Sequence, residues 1–147
     1  MGFLEVVEQS GLALTIKHSF WIYPSLETLH ILGIALLVGP VVLMDLRILG
    51  FAAKRLSLDS LSWIATRTAF AGFGLAMVSG ALMFTVQATQ LSGTPLFLVK
   101  LLVIFTLLVN SVVIRRLMHS RFSQWLAVFS LLGWAVAIGF GRWMAYV

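Results

Sequence analysis

The chain has 147 residues, of which 61% are apolar and 10% charged, against about 45–50% and about 25% in a soluble domain. That composition excludes an ordinary water-soluble globule, and the absence of cysteine excludes disulfides, thiolate metal sites, iron–sulfur clusters and covalently attached haem. The net charge of +5 does not point to a nucleic-acid partner, because the basic residues gather at the ends of apolar runs, where they report topology.

Residues 3–19, FLEVVEQSGLALTIKHS, carry charges within a moderately apolar pattern and are too polar to span a bilayer. They read as a short amphipathic helix lying at the interface. Glu5 and Glu8 occupy the place of a basic n-region, so no signal peptide is expected here. Trp21 and Tyr23 suit interface anchors, and Pro24 suits the first turn of a new helix.

Four membrane helices follow, expected at about 25–50, 61–90, 95–119 and 122–146. Residues 68–99 and 122–141 contain no Asp, Glu, Lys or Arg. Each run reaches the roughly 20 residues that a helix needs to cross a ~30 Å hydrocarbon layer, and in lipid such a run must satisfy its own peptide groups as a helix. Gly93 and Pro95 mark the connection between the second and third helices. The expected fold class is all-α: a single-domain integral membrane four-helix bundle with a short N-terminal interfacial helix.

The first connection holds Arg47, Lys54 and Arg55, the third holds Arg115, Arg116 and Arg121, and the second is uncharged. By the positive-inside rule the first and third are cytoplasmic. This predicts a bacterial inner-membrane protein with both termini in the periplasm. Gly72, Ala76, Ser79, Gly80, Met83 and Gln87 fall in one stripe of the second helix, and Gly133, Ala137 and Gly141 in one of the fourth. Small residues spaced in this way let membrane helices approach closely.

Ionisable groups within apolar helices are costly and tend to face the interior. Counting 1.5 Å per residue from the outer surface brings Glu27, His30, Gln87, Lys100 and Arg142 to one outer layer, which His18 could reach from the interfacial segment. One reading is a ligand or cofactor site. The other has Lys100 and Arg142 snorkelling to headgroups while Glu27 neutralises one of them. Asp45 lies five turns beyond Glu27 on the same face of the first helix, and an ion pair with Arg47 or Arg67 is expected. Glu27 and His30 have Glu-x-x-His spacing, but a di-iron site needs a second such pair and two more glutamates.

The stretch YPSLETLHILGIALLVGPVVLMDLRILG, the later SGALMF, Lys100 opening the third helix and the closing GRWMAY resemble a family of small bacterial four-helix integral membrane proteins of unknown function. More remotely, the pattern is similar to CopD-type copper-resistance membrane domains and to HemJ-type protoporphyrinogen oxidases. The latter resemblance implies haem b and functional roles for His30 and Lys100, although the further helical histidines of those families have no counterpart in this chain.

Three functions are weighed. In a haem-b electron-transfer protein His30 is the metal ligand, Lys100 or His18 lies opposite or nearby, and Arg142 pairs with a propionate. A copper-handling protein would use His30 with Met83 and Met144. A non-catalytic homo-oligomeric subunit would bind a lipid or anionic small molecule through Lys100, Arg142 and Gln87. Partners beyond the lipid bilayer would be further copies of the chain or a membrane redox protein.

Overall fold

The structure is a computed structural model that describes residues 2–143, with side chains through residue 141. The described chain is helical and contains no strand. The elements are α1 (Phe3–Glu8), α2 (Gly11–His18), α3 (Ile22–Ile48), α4 (Leu58–Val86), α5 (Ala88–Ser92), α6 (Pro95–Leu117) and α7 (Phe122–Trp143). Four of them, α3, α4, α6 and α7, are long and apolar enough to cross a membrane. The chain is a multi-pass, all-α membrane protein.

The helix ends follow local chemistry. The expected single interfacial helix is broken in two at Ser10. Its hydroxyl donates to the Val7 carbonyl at 2.7 Å, closing α1, and accepts the Ala13 N–H at 3.3 Å, opening α2. A serine that satisfies the orphan groups of two helix ends favours a break over continuation. Ser19 accepts the Ile22 N–H at 3.3 Å, so α3 starts three residues before the expected Ser25. Pro24 falls in its first turn, where an N–H has no helical partner anyway. Ser57 accepts the Ser60 N–H at 3.1 Å and starts α4 at Leu58. The expected second span stops at Val86 because Gln87 leaves helical geometry at φ −136°, ψ 33°, and α5 follows as a separate turn. After α3, Gly50 takes φ +83°, a left-handed conformation that glycine adopts without Cβ strain.

By compactness the chain divides into residues 1–37 with 70–95, and residues 38–69 with 96–147. In the first unit α3 and α4 meet through glycine. A Cβ on Gly33 would lie 2.6 Å from the Ala76 nitrogen, and one on Gly72 would lie 2.6 Å from the Leu36 carbonyl carbon. The small-residue stripe read from the sequence thus faces the neighbouring helix. Ile16, Leu26 and Val86 form a buried cluster, with Tyr23, Leu82 and Met83 packed against it. This cluster pins α2 to the first turns of α3 and the end of α4.

In the second unit Leu107 of α6 fills the space beside Gly133 of α7, and the Asn110 amide donates to the Leu126 carbonyl at 3.2 Å. The Arg115 guanidinium donates to the Thr66 hydroxyl. Asp45 is 1% exposed. Its Oδ2, the Ser130 hydroxyl and the Trp134 indole nitrogen are buried without hydrogen-bond partners among the described residues. The ion pair expected for Asp45 is not formed among the described residues. Arg47 donates instead to the Leu56 carbonyl at 3.2 and 3.1 Å. Arg67 stacks on Trp63, one turn earlier, at 4.2 Å from the ring centre. Each arginine is engaged by a local acceptor or ring that needs no buried carboxylate.

Candidate functional site

His30 is half-buried on α3 and is held by α4. Its Nδ1 lies 2.9 Å from the Ala76 carbonyl and 3.2 Å from the Ser79 hydroxyl. That hydroxyl lies 2.6 Å from the Leu75 carbonyl and donates its own proton there. Both groups facing Nδ1 are therefore acceptors, so Nδ1 carries a proton. The ring lies over Gly80, where a Cβ would come within 2.9 Å of Cε1. Glycine at position 80 is what admits the imidazole.

This geometry fits one demand of a haem b or single-histidine metal site. A ligating imidazole ordinarily donates its other N–H to a carbonyl, which fixes ring orientation and makes the ligating nitrogen more basic. His30 has that arrangement with Ala76. Among the described residues no three His, Asp or Glu side chains gather closely enough to hold a metal ion. Met83 packs in the Ile16–Leu26–Val86 cluster, and Met144 lies outside the described residues.

The other residues expected at the site are distributed over both units. Glu27 is exposed on the second turn of α3, and His18 is exposed in the last turn of α2. Both belong to the same unit as His30. Lys100 belongs to the second unit, where its ammonium lies over Gly141 of α7, 3.6 Å from the position of a Cβ there. Arg142 continues α7, with its side chain outside the described residues.

Gln87 takes part in a grouping that the sequence did not indicate. With Glu8, Lys17, Tyr23, Val86, Thr89 and Gln90 it lines a cavity of about 480 Å³. Glu8 shapes one wall by accepting the Thr89 N–H at 2.9 Å, which satisfies an orphan donor at the start of α5. Hydrogen bonds from Thr89, with the nearby Lys17 ammonium, hold the Glu8 carboxyl below its ordinary value of 4.5. The available signal was two opposite charges, Glu8 and Lys17, in a segment otherwise suited to a lipid surface. Comparison with protein-family models, curated proteins and solved structures gave no match to this chain.

Proposed function

We propose that the chain is a bacterial inner-membrane protein, with both termini periplasmic, that binds haem b near its periplasmic face and serves in electron transfer. The observation that carries this reading is the His30 side chain, whose Nδ1 lies 2.9 Å from the Ala76 carbonyl, the orienting contact that a ligating imidazole makes through its other ring nitrogen. When bound, haem would supply a reversible one-electron couple. The protein's part is to orient the imidazole, through Ala76 and Ser79, the hydrogen bond to the Ala76 carbonyl being the kind that raises the basicity of a ligating ring. The uncharged second connection and the basic first and third ones support the orientation.

The test is the visible spectrum of detergent-purified protein from cells supplied with a haem precursor. A Soret band is expected, lost in His30→Ala and retained in His119→Ala. Absence of the band from the parent protein overturns the haem reading. Copper bound one per chain would then favour copper handling, and neither metal would favour a subunit that binds a lipid or anionic small molecule.

A further inference from the structure

We propose that the cavity lined by Glu8, Lys17, Tyr23, Gln87 and Gln90 binds a phosphoethanolamine zwitterion, supplied as the headgroup of a membrane lipid. Its volume of about 480 Å³ lies within the roughly 300–1,000 Å³ of small-molecule sites. Two opposite charges face one space without closing on each other. Among the described residues the single ion pair within 4.0 Å is His119–Asp59, so the Glu8 carboxylate and the Lys17 ammonium stand further apart than that. A ligand carrying both charges bridges the gap.

The chemistry of the walls selects among zwitterions. Glu8 accepts from Thr89, and an ionised carboxylate has about four acceptor positions, more than Thr89 can fill. The rest suit a primary ammonium, which has three N–H donors. Lys17 suits a phosphate as a point charge, with the Tyr23 hydroxyl and the Gln87 and Gln90 amides as neutral donors. A choline group has no N–H to give Glu8 and requires an aromatic cage, whereas Tyr23 is the only aromatic residue lining this cavity among the described residues. A glycerol headgroup has no cation for Glu8 at all.

The lipid source follows from the surroundings. Phe3, Val6, Leu12 and Leu14 of α1 and α2, and Phe20 and Trp21 after them, are exposed apolar side chains. Short helices of this kind settle at the acyl–headgroup boundary, which brings the cavity to headgroup level. The inference does not depend on haem binding, because His30 does not line the cavity.

Native mass spectrometry of the full chain in detergent, with added phosphatidylethanolamine, phosphatidylcholine or phosphatidylglycerol, tests the proposal. The ethanolamine lipid is expected to bind about tenfold more tightly than the others, the scale of one charge-assisted hydrogen bond. Lys17→Met and Glu8→Gln should each weaken it about tenfold, and Lys17→Met should leave the melting temperature and any Soret band unchanged. The side-chain amide oxygen introduced by Glu8→Gln still accepts the Thr89 N–H, so α5 stays docked. Displacement by soluble glycerophosphoethanolamine would show that the headgroup alone suffices. Lack of displacement, with both variants impaired, would make the intact lipid the ligand. Equal binding of the three lipids, or ethanolamine-lipid binding unchanged in both variants, overturns the proposal.

Discussion

Gly72→Ala places a methyl group against main-chain atoms of α3. The new Cβ would meet the Leu37 nitrogen, the Leu36 carbonyl carbon at 2.6 Å and the Gly33 carbonyl oxygen at 2.7 Å. Backbone atoms have no rotamer with which to escape, so the two helices must separate. Ordinary contact begins near 3.4 Å, which requires a shift of roughly 0.8 Å. The same shift would lengthen the 2.9 Å His30–Ala76 hydrogen bond to about 3.7 Å, beyond a useful interaction. Overpacking costs about 1–3 kcal/mol and the lost hydrogen bond about 1 kcal/mol, for a destabilisation of about 2–4 kcal/mol. On the scale of proteins of this size that is a drop in Tm on the order of 10 °C. Gly74→Ala is the control, because a Cβ there meets nothing within 4 Å and alanine is the better helix former by about 1 kcal/mol. Thermal unfolding in one detergent should show Gly72→Ala melting well below the parent and Gly74→Ala at or above it. If Gly72→Ala melts with the parent, the close α3–α4 approach is wrong, and so is the histidine geometry that depends on it.

Cysteines introduced at Ser57, Thr89 and Ser120 should label with an impermeant periplasmic reagent at position 89 only; labelling at 57 or 120 would reverse the proposed orientation. Asp45→Asn should change stability by less than about 1 kcal/mol, because no ion pair is lost. A loss of about 3–5 kcal/mol, as when a buried pair is broken, would show that Asp45 has a cationic partner. The folded-state pKa of Glu8 is depressed, so its contribution to docking α1 on α5 is present above the unfolded value and lost as pH falls through the folded one. The Thr89 amide ¹⁵N shift should therefore titrate with a midpoint below 4.5, and Glu8→Gln should abolish that titration. A midpoint at or above 4.5 would contradict the assigned hydrogen bond.

Local sequence was enough to determine the four membrane-length helices, because hydrocarbon thickness and backbone satisfaction leave a predominantly apolar run of about 20 residues little choice. It also identified the small-residue stripe of α4, since residues spaced by three and four share a helix face whatever lies opposite. The breaks at Ser10 and Gln87 were less legible. Ser10 competes with an amphipathic pattern that continues across it. Gln87 is explained by Glu8, 81 residues away from the Thr89 amide that it accepts. Tertiary structure alone decided the state of the two most informative ionisable groups. His30 is oriented by the main-chain carbonyl of Ala76, an acceptor that every residue possesses and that side-chain identity therefore cannot advertise. Asp45 was expected to find an arginine at the same end of the first two membrane helices, but Trp63 and the Leu56 carbonyl engage Arg67 and Arg47. Side-chain identity determined which groups are costly to bury, and packing decided where each found its partner, because a hydrogen bond is set by distances that only the folded chain defines.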